Sequence, residues 1–396
     1  MSFEDHASPS VAGGPGSASA GAETVAPRRR RLLSVALSVL VFLLAAVVAA
    51  AFIQLPYYAI TPGSGIDVAS LIVVPKRLHH AHGGRFLLTD VELVRLRAIN
   101  YLYYRWNSAD QVVPSSALTN GATSTEYDQQ GVIDMANAQQ AATVVALQTV
   151  GYHVGATPTG VIVYQLEAGA PAAGRLVVGD VITAVGGTTA TTSSALRAIL
   201  AKAAPGQAEA LAVHEFGTKR RRTVRLRLGQ ERVRGTGSDA EVVCLAAGQH
   251  TTLPAPPAGY PRACLGILTE QEYKTVGSPF PVSIQSDGII GPSAGLAFTL
   301  GLINELDRGD LTGGRRVAAT GTMSVDGQVG DVGGVAQKTA AVRAAGATVF
   351  IVPSQALATA KAHAGAGLTV LGVSTVRQAI ADLERLGGKL RVRPGG

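Results

Sequence analysis

The apolar residues of this chain fall into three patterns. From Leu32 to Ile53 they are continuous, a run of 22 residues in which only Ser34 and Ser38 carry polar side chains. As a helix that run spans roughly 33 Å, enough to cross a bilayer core, and it predicts a transmembrane helix over residues 32–54. From there to about residue 230, short β-like runs alternate with turns. One helical stretch interrupts them: in MANAQQAATVVALQTVGY, Met135, Ala138, Ala142, Val145 and Leu147 predict an amphipathic helix that ends at Gly151. From about residue 262 strands and helices alternate regularly. PVSI, RVAATGTM, ATVFIVP and LTVLGV read as strands, with helices from Ser293, from Val335, over QALATAKAHAG and over TVRQAIADLERL. That order predicts an α/β (α+β) domain over residues 262–390.

The intervening parts are less regular. Residues 1–31 open with Ser, Gly, Ala and Pro in no period and predict a disordered tail that ends in four arginines. Within the membrane-proximal residues 55–149, YYAITPGSGIDVASLIVV predicts a turn and then a strand carrying Leu71, Ile72, Val73 and Val74, and GRFLLTDVELVRL a second strand. Polar and small residues then dominate from residue 95 to the amphipathic helix, and no chemical role attaches to them. His79, His80 and His82 match no zinc spacing and read as a solvated loop, so no metal is expected. Residues 150–230 have the short runs and turns of a small β-rich module, and residues 231–261 read as a linker.

Composition narrows the choices. At 396 residues with 47% hydrophobic and 15% charged side chains, the chain can bury several cores, which excludes a wholly disordered protein. Its net charge of +7 is concentrated in Arg28 to Arg31 and in Lys219 to Arg222 with Arg225 and Arg227; no nucleic-acid-binding motif accompanies either tract. The second tract reads as solvated charge at a hairpin turn, with contact to anionic lipid headgroups as the alternative. Four arginines before the apolar run and none directly after it place the N-terminus in the cytoplasm, with Tyr57 and Tyr58 as interfacial aromatics on the far side. The expectation is a single-pass protein of the cytoplasmic membrane, extracytoplasmic after residue 56. A cleaved signal peptide is the competing reading, since Ala49-Ala50-Ala51 offers a cleavage pattern, although the run is longer than a signal core. In that compartment Cys244 and Cys264, 20 residues apart, are candidates for a disulfide across a proline-rich loop; two reduced thiols are the alternative.

The candidate chemistry lies between residues 286 and 352. Ser293 sits in a Gly-Pro-Ser-Ala-Gly turn that opens an apolar run, so its hydroxyl is expected at a helix N-terminus, among backbone N–H groups that favour developing negative charge. Lys338, in VAQKTAAVRAAG, falls by helical spacing on one stripe with Val335, Ala341, Val342 and Ala345, while Gln337 and Arg343 point elsewhere. Burial of that lysine would disfavour its ammonium form and leave an amine able to take a proton from a serine, the requirement of a Ser-Lys dyad. Taken singly, the serine is an ordinary helix cap and the lysine a side chain reaching for solvent. Asp287 is either an acidic neighbour of the serine or the cap of the turn at Gly288. Gly291, Gly295, Gly333 and Gly334 permit tight turns and a close backbone approach.

GPSAG followed by TGT and GQVGDVGGVAQK, with Ser293 and Lys338 45 residues apart, resembles the proteolytic domain of Lon proteases in order and spacing. The resemblance implies a Ser293-Lys338 peptidase that needs no cofactor, and it places Thr320 beside the lysine as the threonine of their T-G-E motif. Thr322 stands here where that motif has glutamate. It also implies a homo-oligomeric ring. No GxxxxGK[ST] phosphate loop occurs in the 396 residues, so no ATP-driven unfolding is expected and the substrates are proteins or peptides with exposed or unfolded segments.

GYHVGATPTGVIVYQLEAGAPAAGRLVVGDVITAVGG, with SSALRAILAK, ALAVHEF and TVRLRL after it, is similar to a bacterial PDZ domain over residues 150–230. By that resemblance a peptide C-terminus would be held by Gly151, Tyr152, His153 and Val154, where the usual wording is Gly-Leu-Gly-Phe. Anchor, PDZ-like module and Lon-like domain together resemble the membrane-bound, PDZ-containing Lon-like proteases of bacteria. The expected function is an ATP-independent, membrane-tethered serine endopeptidase whose PDZ module presents or gates substrates. The alternatives are a non-catalytic PDZ adaptor at the membrane and a signal-peptidase-like processing enzyme.

Overall fold

The computed structural model describes residues 26–218, 220–236, 238, 240–249, 251–256, 263–286 and 288–391. Its backbone divides into two compact units, one made of the N-terminal helix with Arg97–Asn100 and the other of Leu55–Leu96 with the chain from Tyr101 on. Helix α1 (Ala26–Phe52) opens with Arg28 to Arg31 and is apolar from Leu32 on but for Ser34 and Ser38, and its stretch Arg31–Phe52 has a mean hydropathy of 2.9. By length and composition this one helix among the described residues could cross a membrane.

After it come β1 (Gln54–Asp67), β2 (Ile72–Val73), β3 (Arg85–Arg97), α2 (Tyr101–Trp106), β4 (Gln111–Pro114), α3 (Ser115–Thr119) and α4 (Ser124–Thr149). The turn expected in ITPGSG is instead extended: β1 runs through it to Asp67. Here tertiary packing overrides the turn signal of Pro62-Gly63. A β-carbon at Gly63 would come within 2.9 Å of the Asp90 backbone oxygen, and one at Gly65 within 2.5 Å of the Ala345 methyl, so glycine serves close approach rather than a bend. Helix α4 begins eleven residues earlier than its apolar periodicity suggests. Thr123 caps it, accepting from the Glu126 N–H while the Glu126 carboxylate accepts from the Thr123 N–H.

The middle of the chain forms β5 (Gly155–Leu166), β6 (Asp180–Val185), β7 (Thr188–Thr189), α5 (Ser193–Leu200), β8 (Ala208–Glu215), β9 (Arg221–Arg227), β10 (Gly229–Arg234), β11 (Glu241–Leu245), β12 (Ala263–Cys264) and β13 (Ile267–Val276). These make a six-stranded sheet of order β13-β5-β6-β8-β9, with β7 paired to β6, and a small sheet β11-β10-β12. The module has its own core, in which Val161, Val163, Ile182, Leu211 and Val213 meet Leu196 and Leu200 of α5. Arg222, from the second basic tract, pairs with the nearly buried carboxylate of Asp180. Cys244 and Cys264 are joined by a disulfide that ties β11 to β12.

The last part contains β14 (Ser283–Ile284), α6 (Gly295–Leu306), β15 (Arg316–Ala319), β16 (Thr322–Met323), β17 (Val329–Gly330), α7 (Val335–Ala344), β18 (Val349–Pro353), α8 (Leu357–Ala364), β19 (Thr369–Val373) and α9 (Val376–Arg385). Its sheet has the order β19-β18-β15-β3-β1-β4, with β15 parallel to both β18 and β3. Strand alternation sorts the side chains into two layers. Phe86, Leu88, Val317, Ala319, Val349 and Ile351 pack towards α4, α6 and α9, while Leu87, Ala318, Phe350 and Val352 pack towards α7 and α8. This mixed α/β architecture corrects the expected boundary at residue 262. Half of the sheet comes from residues 54–114, and β13 belongs to the middle module, where it pairs with β5 along its whole length. Alternating patterns reveal strands but not their partners, so a sheet assembled across an inserted module reads from sequence as two unrelated parts.

Candidate active site

The carboxyl end of the central strand β15 carries the site, as open α/β sheets favour. Helix α6 arrives from one face of the sheet and α7 from the other, and Thr320, the residue after β15, lies between them. Its N–H continues the strand pairing by donating to Ile351 O at 3.0 Å.

Ser293 is in the middle of a 3-10 turn, Pro292–Ala294, that leads into α6. Gly291 starts the turn with φ of 93°, a conformation costly for any residue with a β-carbon. Pro292 supplies the fixed φ suited to a first helical position. Gly295 has no room for a side chain, because a β-carbon there would lie 2.8 Å from that of Met323. The Ser293 carbonyl accepts from the Gly321 N–H (2.9 Å) and from Thr320 Oγ1 (3.1 Å), which fixes the turn against the end of β15.

Lys338 lies one turn into α7, where its N–H donates to Gly334 O at 2.8 Å. Its side chain crosses from that helix to the serine turn. Nζ is in hydrogen-bond contact with Ser293 Oγ at 2.7 Å and with Thr320 Oγ1 at 3.2 Å. The residue is 3% exposed and Thr320 0%. Burial lowers the lysine pKa from 10.5 to about 8, and the carboxylate of Asp90 opposes that shift only in part. The Ser293 hydroxyl, the Lys338 amine and the Thr320 hydroxyl therefore converge.

Other expected site residues are placed differently. Asp287 lies outside the described residues. Gln337, expected to point away from the apolar stripe, is 5% exposed, and its Nε2 donates to Ala109 O at 3.4 Å. The segment before β4 covers that side of α7, which the helix's own sequence could not show. Gly151 and Tyr152 are a helix terminus rather than an open loop. Their N–H groups donate to Gln148 O and Leu147 O, ending α4, and the Tyr152 ring packs edge-on against Phe280 at 5.3 Å. With Val154 buried as well, Gly151, Tyr152, His153 and Val154 cannot form the carboxylate-binding loop assigned to them. A groove of about 690 Å³ opens elsewhere, between α5 and the outer edge of β13, lined by Leu196, Leu200, Leu265, Gly266 and Thr269.

Helix α4 is the contributor that sequence reasoning left without a role. Its Gly131 carbonyl accepts from the Gly291 N–H at 2.8 Å, and Ile290 packs over the space where a Gly131 side chain would stand. A glycine in the middle of a long helix was the available sign.

Residues 285–381 match the family model of the Lon protease (S16) C-terminal proteolytic domain. The chain thus carries a Lon proteolytic domain, which supports a serine protease. Ser293, Thr320 and Lys338 all fall inside the matched region, whereas β1, β3 and α4, which complete the sheet and brace the serine turn, precede it. A comparison with curated proteins returns no match to the chain.

Proposed function

We propose that this protein is a serine endopeptidase in which Ser293 is the nucleophile and Lys338 its general base. The observation that carries the reading is the 2.7 Å contact between Ser293 Oγ and a lysine amine almost wholly removed from water. With a pKa of about 8, roughly one amine in ten is neutral at pH 7, enough to accept a proton without any third group. In the reacting state the Ser293 hydroxyl donates to neutral Nζ as Oγ attacks the peptide carbonyl. The N–H groups of Ser293 and Ala294 are the local donors for the oxyanion. The lysine ammonium then gives its proton to the departing amine, leaving an acyl-serine. Water hydrolyses that ester with Lys338 taking the second proton. Thr320 keeps Nζ directed at the serine turn through its two hydrogen bonds.

In this reading the chain is tethered by α1 with the catalytic unit on the extracytoplasmic side, supported by the arginines that precede the apolar run. The middle module acts as a PDZ-like presenter, supported by the groove beside β13, whose free edge suits an added peptide strand. The absence of a phosphate loop from the 396 residues favours work without ATP on segments already exposed or unfolded. The test is cleavage of casein by the full chain in detergent, comparing the wild type with Ser293→Ala and Lys338→Ala. Both substitutions should abolish turnover; activity surviving either one would refute the dyad.

A further inference from the structure

Between β3 and β4 the chain exposes a concentration of large apolar side chains. Ile99 is 51% exposed, Leu102 53%, Tyr103 66% and Trp106 78%. Leu102, Tyr103 and Trp106, three within five residues, amount to a surface suited to a non-aqueous partner. Scattered exposed apolar residues need no explanation, but these are clustered and have three further properties.

The first is continuity. Arg97–Asn100, the residues leading into α2, are hydrogen-bonded to the C-terminal turn of the apolar helix α1: the Ala98 N–H donates to Ile53 O (3.0 Å), the Ile99 N–H to Ala50 O (3.1 Å) and Arg97 Nη1 to Ala51 O (3.2 Å). Tyr101 follows directly. The second is side-chain type. Tyr101, Tyr103, Tyr104 and Trp106 have apolar rings with one polar atom, the residues that settle at the boundary between acyl chains and headgroups. Tyr101 also stacks at a tilt on Tyr57 of β1, with centroids 5.6 Å apart. The third is charge. Between Glu92 and Asp110 the sequence carries Arg95, Arg97 and Arg105 and no acidic side chain. Cations at that depth are attracted to an anionic bilayer surface.

We infer that Tyr101 to Trp106, which follow in the chain directly on the residues bonded to the end of α1, form a second membrane-contacting element in the headgroup region of a bilayer. It rests on the proposed reading of α1 as a membrane span and adds to it a contact made by the catalytic unit itself. The consequence reaches the dyad. Ala109, three residues beyond Trp106, accepts from Gln337, the neighbour of Lys338 on α7. The helix that carries the base is thereby tied to the membrane-contacting segment, and the peptides within easiest reach are juxtamembrane stretches of other membrane proteins.

Trp106 is the chain's single tryptophan, so its own fluorescence reports on this element. The full chain is reconstituted in vesicles of phosphatidylcholine and phosphatidylglycerol, some carrying bromine near the headgroup and others near the bilayer centre, with Trp106→Phe as the blank. Expected is blue-shifted emission, quenched by the shallow bromines more than by the deep ones and protected from aqueous iodide. Full quenching by iodide with no effect of either brominated lipid would overturn the inference. A blue shift without lipid quenching would overturn it too, because a second protein surface would then cover the segment. Alkaline washing of the same vesicles reports α1 separately. A chain that stays membrane-bound with Trp106 unquenched leaves the span and removes this element. Lipid quenching in a chain that the wash releases keeps the element and removes the span, and a released, unquenched chain removes both.

Discussion

The Gly131 carbonyl of α4 and the Gly291 N–H of the serine turn are hydrogen-bonded at 2.8 Å. A helix outside the matched Lon region thus braces the turn that carries Ser293. A β-carbon at residue 131 would stand 2.9–3.1 Å from three atoms of Ile290. Gly131→Val should therefore push the turn outwards. Because valine is a better helix residue than glycine, α4 itself should not suffer. The expected result is a loss of about tenfold to a hundredfold in kcat, with the unfolding temperature little changed, read from casein kinetics and a thermal melt. Undiminished kcat would show that α4 does not brace the site.

The pH dependence of cleavage should follow Lys338. Its pKa is lowered to about 8 by burial, and only the neutral amine can accept the serine proton. Activity should rise about tenfold per pH unit from pH 6 to 7, bend near pH 8 and then level off. A profile of kcat/KM against pH measures this. A plateau already established at pH 6 would exclude lysine as the base.

The same shift has a cost in stability. The folded pKa of about 8 lies below the ordinary 10.5, so between these values the unfolded chain binds more protons, and stability rises with pH across that window. Below pH 8 the folded protein bears the full penalty of burying the amine, about 3 kcal/mol by this linkage. Lys338→Met should abolish cleavage and yet stabilise the fold at pH 7, by up to that amount. The gain should shrink towards pH 10. Denaturant unfolding at the two pH values tests it, and a variant less stable at pH 7 would show that the hydrogen bonds to Ser293 and Thr320 outweigh desolvation.

The disulfide closes a loop of 20 residues, for which chain-entropy reasoning gives about 3 kcal/mol. Cys264 directly precedes Leu265 and Gly266 of the groove beside β13. Cys244→Ser with Cys264→Ser should speed amide exchange in β10, β11 and β12. Cleavage of a short peptide should be unaffected, since Ser293, Thr320 and Lys338 lie outside that sheet. Hydrogen exchange followed by mass spectrometry, with a peptide assay alongside, separates the two effects.

Some of this was legible in the sequence. The meeting of Ser293 with Lys338 was readable because each carries its signal locally: Ser293 in a turn of glycines and proline that opens α6, and Lys338 on the apolar side of α7. Helix α1 was readable because its apolar run is long and uninterrupted. What stayed hidden depends on pairing across distance. Nothing near Phe86 indicates that it will stand opposite Val317, and nothing near Gln337 indicates that Ala109 will cover it. The placement of the peptide loop at Gly151–Val154 failed for a related reason. The order of motifs along the chain assigned it to the start of the module, whereas the strand bordering α5 is β13, supplied from the module's far end.

That interleaving of β3 with β15 has a consequence for how the protein is made. While the ribosome is still extending the chain, β1, β3 and α4 exist without the strand that belongs between β3 and β18, and the whole β5–β13 module is completed before Ser293 has even been added. A product that stops before residue 338 lacks the Lys338 amine even where it already has the Ser293 hydroxyl. With the proposed dyad, synthesis therefore yields no catalytic pair until Lys338 has been added, and a chain terminated before it has no capacity for that cleavage.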